Sequence, residues 1–317
     1  MPFDVYLALL DQLAQGGRTR ELIFAGEGEP VLYPYFSQAL RRAKQAGLHV
    51  NLITNGTILT PDLVAELIDA RLDLLTISIW ASSEEEYAEL CPGTAPRFHQ
   101  LALDALQLVT DVKAKQGSRL PQLRLHRPLS RVNFATVETA VDKALSSGCN
   151  QLTVAPVHSL KGELTSHMLT AAEEKQVAGS LARMKRRLHA AKVDHNIETA
   201  LQLYRIGEAV WEKIPCYAGW LHSRIRIDGS VFPCGRCDLP LGDLKESSFD
   251  DIWNGQPYRE FRRTASTREG LASLRDTCLC SYCCHIRNTV KVDRIFRWIR
   301  PLTSRTARFP PEFLDGN

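Results

Sequence analysis

RELIFAGEGEP (residues 20–30) is a short strand-like run, Arg20–Ala25, that breaks into the glycine loop Gly26-Glu27-Gly28-Glu29-Pro30. The same alternation extends to either side. Upstream, Val5–Ala14 has helical apolar spacing. Downstream, Phe36–Ala46 is helical, and Gly47 stops it because glycine takes the left-handed conformation at a helix end cheaply. LHVNLITNG (residues 48–56) is a second strand, Leu48–Thr54, ending at the turn pair Asn55-Gly56. Thr60 caps a helix running to Ala70, with Pro61 at its first position. Leu72–Ser78 is a third strand, and a long helical region covers Glu84–Lys115. Strand Gln122–Leu129, helix Phe134–Ser147, strand Gln151–Ala155 and helix Thr170–Lys192 complete the series. Strands alternating with helices pair in parallel through right-handed crossovers. The strands beginning at Arg20, Leu48, Leu72, Gln122 and Gln151 therefore predict an α/β fold, a partial parallel (β/α) barrel. A barrel of this kind opens on a strand, whereas this chain opens on a helix, so the first strand is expected to be missing.

At 317 residues the chain is long enough for one large domain and one small one. A net charge of +3 offers no bulk attraction to nucleic acid. The longest apolar runs, such as Leu72–Trp80, are too short to cross a bilayer. Asp4 and Asp11 sit where an export signal would be basic, so a cytoplasmic protein is expected. In that compartment nine cysteines point to metal or redox chemistry rather than structural disulfides.

Seven of those cysteines fall between Cys216 and Cys284, which separates a cysteine-poor body from a small cysteine-rich α+β domain. We place the barrel at 1–192, a bridge with a helix at Ala200–Glu212 within 193–215, the cysteine-rich domain at 216–288 and a basic, aromatic tail at 289–317. His222–Ile227 and Val231–Cys234 flank Asp228-Gly229-Ser230, a hairpin signal that brings Cys216 and Cys234 to one end. Cys280-x-x-Cys283 can supply two more thiolates from a tight turn. Four converging thiolates suit a [4Fe-4S] cubane or a tetrahedral zinc. The zinc pattern would pair Cys234-x-x-Cys237 with Cys280-x-x-Cys283, across a gap much longer than a zinc ribbon uses. Cys237, Cys278 and Cys284 are expected to tolerate substitution better than Cys216, Cys234, Cys280 and Cys283. Phe249–Trp253 and Tyr258–Thr264 read as short helices.

Cys216 through Leu244, with Asp228–Cys234 and Leu241–Leu244, resembles a SPASM-type domain, as does Phe249–Gly255 followed by Arg259–Arg263. Such domains append auxiliary iron–sulfur clusters to radical S-adenosylmethionine (SAM) enzymes. The body resembles the radical SAM barrel in its glycine loop, in Thr54-Asn55-Gly56 and in Ser78, each following or ending a successive strand. The resemblance implies SAM contacts at Gly26, Gly28, Glu29, Pro30, Thr54, Asn55 and Ser78, and an auxiliary [4Fe-4S] cluster at the four cysteines. It also implies that the complete form cleaves SAM to a 5′-deoxyadenosyl radical, acts on a peptide or protein substrate, and needs an electron donor. The family motif Cys-x3-Cys-x2-Cys, which holds the SAM cluster, is not in the sequence. Strand and motif are absent together, so a truncated N-terminus is expected. A non-catalytic metal-binding scaffold is the rival. Cys91 and Cys149 are read as core or surface residues. Arg124, His126 and Arg127 share one strand, read as a solvated edge, although either arginine could reach a SAM carboxylate. The stretch Arg294–Arg300 is read as packing its apolar side onto the barrel, with a membrane surface or an acidic partner as rivals.

Overall fold

The structure is a computed structural model that describes residues 1–26, 28–95, 97–157, 165–206, 211, 214–278 and 285–299. Cys280, Cys283, Cys284 and residues 300–317 lie outside the described residues. Two compact units emerge: Leu13–Ala200, and Met1–Gln12 together with Leu201–Asn317.

The larger unit is built from α1 (Phe3–Gly16, whose residues up to Gln12 group with the other unit), β1 (Glu21–Phe24), α2 (Phe36–Gln45), β2 (His49–Thr54), α3 (Pro61–Asp69) and β3 (Leu74–Ser78). It continues through α4 (Glu84–Leu90), α5 (Arg97–Gln116), β4 (Gln122–Leu129), α6 (Thr139–Ser146), β5 (Gln151–Pro156), α7 (Ala171–Ala190), β6 (Asp194–His195) and α8 (Ile197–Ile206, whose residues from Leu201 group with the other unit). The six strands form one parallel sheet in the order β1-β2-β3-β4-β5-β6. Each strand lies beside the next in sequence, as repeated right-handed crossovers of one sense require. The side chains of Val50, Leu52, Leu75, Ile77, Leu123, Leu125, Leu152 and Val154 form the apolar face and are essentially inaccessible. They alternate with residues on the opposite face, where Asn51, Thr76, Arg124, His126, Gln151 and Thr153 lie beside Ile53 and Leu74, the period of two that a strand imposes.

Local signals read from the sequence act as expected. The Thr60 hydroxyl accepts from the Leu63 amide at the start of α3. Thr170 and Glu173 form a reciprocal capping box on α7. Two elements differ. The helical region over Glu84–Lys115 is two helices, broken at Cys91-Pro92-Gly93, where Pro92 has no amide to continue the ladder. The bridge, residues 193–215, contributes β6, which is too short to show any periodicity.

Arg124, His126 and Arg127 are not at an edge, because β4 lies between β3 and β5. Arg127 is 1% exposed and points to the helix side. Its guanidinium donates to the Ile79 carbonyl (3.3 Å), the Ser82 hydroxyl (2.8 Å) and the Thr136 hydroxyl (3.3 Å), and pairs with Glu86 at 3.3 Å. Glu86 also accepts from the Ser82 amide and the Thr136 hydroxyl. Removing one partner of a buried pair strands the other charge. Arg127→Met is therefore expected to destabilise the larger unit by about 3–5 kcal/mol, measured by urea unfolding. A loss below ~1 kcal/mol would mean that the pair is solvated in solution.

The smaller unit contains α9 (Ala218–Leu221), β7 (Arg224–Ile225), β8 (Ser230–Phe232), β9 (Gly242–Asp243), α10 (Phe249–Asn254), α11 (Gln256–Ala265), α12 (Arg268–Ser273) and α13 (Ile286–Ile299). β7 and β8 are the expected antiparallel hairpin, with Gly229 at φ +97 in its turn. Val231, Ile252, Tyr258 and Phe261 form its core together with Cys216, Cys237 and Cys278. Most of the basic, aromatic stretch is helical, in α13, where Ile295 is 61% exposed. Among the described residues no helix is long and apolar enough to cross a membrane.

Candidate functional site

The glycine loop follows β1 and the Asn55-Gly56 turn follows β2, and one side chain ties them together. The Glu29 carboxylate accepts from the Asn55 amide through Oε2 at 2.9 Å. Its Oε1 is buried and, among the described residues, has no hydrogen-bond partner. An orphaned carboxylate oxygen is costly to keep, so it marks a place where a donor fits. Around it there is room: a Cβ built on Gly26 or Gly28 would meet no atom within 4 Å. Pro30 starts a single 3-10 turn that ends the loop. The second loop is fixed from within. The Asn55 side chain accepts from the Thr57 amide and hydroxyl, and the Thr54 hydroxyl accepts from the Gly56 amide at 3.0 Å. Thr54 thus spends its hydroxyl on the turn. Gly56, at φ +78, lies so close to Ile77 and Ala105 that a Cβ would meet them at 3.0 and 3.1 Å.

Ser78 is the last residue of β3 and is paired in register with His126 on β4, which is paired with Thr153 on β5. This row lies on the face opposite the apolar side chains, at the C-terminal ends of the strands. Parallel β/α folds bind ligands at that end. Below it the polar residues pair across neighbouring strands. Asn51 accepts from the Thr76 hydroxyl at 3.0 Å, and Arg124 donates twice to Gln151 Oε1, at 2.8 and 2.6 Å. His126 Nδ1 lies 3.0 Å from the Thr153 hydroxyl. Burial, with the Arg124 charge adding to it, pulls the His126 imidazole down to about 4, so the ring is neutral at pH 7. The sequence signal for this layer is polar residues at every second position of β4, which the edge reading explained away.

In the smaller unit, Cys216 is buried and Cys234 half-buried. Each sulfur accepts a backbone amide from two residues on: Ala218 to Cys216 at 3.5 Å and Arg236 to Cys234 at 3.4 Å. Such N–H···S contacts are those that stabilise cluster thiolates. Burial pushes the Cys216 thiol up, so without a cation the thiolate is disfavoured. Cys237 and Cys278 are joined by a disulfide, a pairing across 41 residues that spacing did not single out. Among the described residues no three potential ligands converge on a metal position. The thiols present fit an iron–sulfur group, with Cys280 and Cys283 outside the described residues. Cys149 is buried, with its thiol pushed up to about 12, and Cys91 is half-buried with a raised thiol, as core placement predicts.

Fold and site together define a class: a parallel β/α domain with a glycine loop at its C-terminal edge, followed by a cysteine-rich hairpin domain. Residues 1–174 match the Radical SAM superfamily, and residues 216–291 match SPASM, an iron–sulfur cluster-binding domain. The chain belongs to the radical SAM superfamily and carries a SPASM domain. It is 23% identical over 304 residues to the tungsten-containing aldehyde ferredoxin oxidoreductase cofactor-modifying protein of Pyrococcus furiosus, covering 88% of this chain and 80% of that one. It is also 23% identical over 272 residues to the PqqA peptide cyclase of Granulibacter bethesdensis, covering 82% and 68% respectively. Its fold is similar to native anSMEcpe with bound AdoMet, with a TM-score of 0.64 at 15% identity over 94% of this chain and 89% of that one. Streptococcus suis SuiB bound to S-adenosylmethionine gives 0.62 at 15% identity, over 92% and 67%.

Proposed function

We propose that this chain binds SAM at Gly26, Gly28, Glu29, Pro30, Asn55 and Ser78, with Thr54 shaping the turn, and serves in a radical modification of a peptide. The auxiliary [4Fe-4S] cluster sits on Cys216, Cys234, Cys280 and Cys283. The observation that carries the reading is the buried, unpartnered Oε1 of Glu29 beside two open glycines. That oxygen is an acceptor for the methionyl ammonium of SAM, while Oε2 keeps the loop in place through Asn55. The bound cofactors supply the radical chemistry, and the protein positions the reactants and excludes water. The peptide substrate is supported by the PqqA peptide cyclases and by SuiB bound to precursor peptide SuiA. An electron donor and a cytoplasmic location complete the proposal.

SAM binding tests this directly by equilibrium dialysis, without turnover. A charge-assisted hydrogen bond is worth about 1.5–3 kcal/mol, so Glu29→Gln is expected to weaken SAM about 10-fold or more. Gly28→Val should do the same while leaving thermal stability unchanged, since a Cβ at Gly28 would meet no described atom within 4 Å. Unaltered SAM affinity in both variants would refute the site. A non-catalytic scaffold is the second reading, favoured by the lack of a Cys-x3-Cys-x2-Cys run in the sequence.

A further inference from the structure

The concave face of the sheet holds a cation that the SAM reading does not use. Arg124 lies in the middle row of β4, in register with Thr76 on β3 and Gln151 on β5. Gln151 Oε1 takes hydrogen bonds from Nε and Nη2 and so fixes the plane of the guanidinium. Among the described residues nothing accepts from Nη1, and no carboxylate forms an ion pair with the group. Glu21, on β1 across the concave face, reaches it only through its charge and lies beside His49 at 3.7 Å. Burial pulls the Arg124 guanidinium down from its usual range, as expected for a cation held partly away from water without an anion in contact.

One row nearer the C-terminal ends of the strands is His126, about 6–7 Å further along β4 by strand geometry. Its Nδ1 is engaged by Thr153, which leaves Nε2 as the ring atom available to a ligand. On the same face of the sheet, Ile23 of β1 is 49% exposed. A fixed guanidinium fork below a neutral imidazole matches one carboxylate: two N–H donors for its oxygens and a ring to orient the stem above. A phosphate dianion would call for a second full positive charge, and the described residues in register with Arg124 on the neighbouring strands are Thr76 and Gln151, neither of them a cation.

We propose that Arg124 and His126 form a carboxylate-binding subsite inside the barrel, which takes an acidic side chain of the peptide substrate. The inference rests on the peptide reading above. The methionyl carboxylate of SAM is the competing occupant. Glu29 and the open glycines lie at the β1–β2 end of the sheet, and Ser78 is paired with His126, whereas Arg124 on β4 is one row below that pair, away from the loop ends.

The test uses the full chain without SAM or reductant, so it stands whether or not the chain supports SAM cleavage. The probes are N-acetyl-glutamate methylamide and its glutamine counterpart, followed by histidine-ring NMR and calorimetry. The acidic probe is expected to saturate and to shift the His126 signals, with the amide probe at least 10-fold weaker. Arg124→Met should weaken the acidic probe at least 10-fold with an unchanged circular dichroism spectrum. Should that variant fail to fold, the contrast between the two probes on the wild-type chain decides alone. No saturable binding by wild type, or equal affinity for both probes, overturns the subsite. So does an Arg124→Met chain that keeps its affinity for the acidic probe. A 10-fold loss of SAM affinity in Arg124→Met, with no binding of the acidic probe, also overturns it and assigns the arginine to SAM. SAM binding with no probe binding leaves the SAM site intact and removes only the subsite.

Discussion

Reconstituted with iron and sulfide and supplied with dithionite and SAM, the 317-residue chain is expected to yield no 5′-deoxyadenosine above a protein-free control. Cleavage of the sulfonium bond needs an iron with an open coordination position. Three thiolates spaced Cys-x3-Cys-x2-Cys leave such a position, and four do not. The sequence holds no such run. Cys91 and Cys149 cannot replace it: one is half-buried, the other buried, and burial raises both thiols above the ordinary range. A cluster on Cys216, Cys234, Cys280 and Cys283 has all four of its irons covered by protein ligands. SAM binding at Glu29 is expected to persist, so the loss is of turnover and not of affinity. Chromatographic detection of 5′-deoxyadenosine is the readout. Product above the control would mean that another cysteine set holds a SAM-competent cluster. Supplying the missing triplet on a fused segment should switch the activity on, and a chain that stays inert after this would favour the scaffold reading.

The second large effect is expected at the hairpin cysteines. Cys216→Ser and Cys234→Ser should each lose most of the bound iron and broaden or abolish the unfolding transition of the smaller unit. Cys216 is 7% exposed and sits in the core with Tyr258 and Phe261. Its thiolate, disfavoured by burial, becomes stable only with a metal and the Ala218 amide. Metal-binding free energy at such sites is folding free energy, on the order of 10 kcal/mol for structural metals. Serine oxygen, a harder ligand, replaces only a fraction of it. Iron per chain and the thermal melt are the measurements. Cys237→Ser and Cys278→Ser are expected to retain the iron. Equal iron loss at either would move the ligand set toward the pair that the structure joins. Zinc in place of iron in the purified protein would favour the ribbon reading instead.

How much of this was legible in the sequence depends on the range of each signal. Helix caps, the glycine loop, Asn55-Gly56 and the Asp228-Gly229-Ser230 turn act over a few residues, and the chain carries them openly. The strand–helix alternation and the clustering of cysteines after Cys216 followed from composition along the chain alone. β6 did not, because its two residues pair with β5 only once α7 has returned the chain to the sheet. The joining of Cys237 to Cys278 spans 41 residues and has no local signature.

The clearest division lies on β4. Arg124 and Arg127 are three positions apart on one strand and chemically identical. The pleat sends them to opposite faces, and that much the sequence by itself determined. Which face would be closed by helices was decided only by the tertiary structure. Packing of the crossover helices put Arg127 against Glu86 as a buried structural pair, and left Arg124 on the concave side with Gln151 and a free edge. A cation acquires its role from the charges and walls around it. Those are supplied by strands and helices tens of residues away.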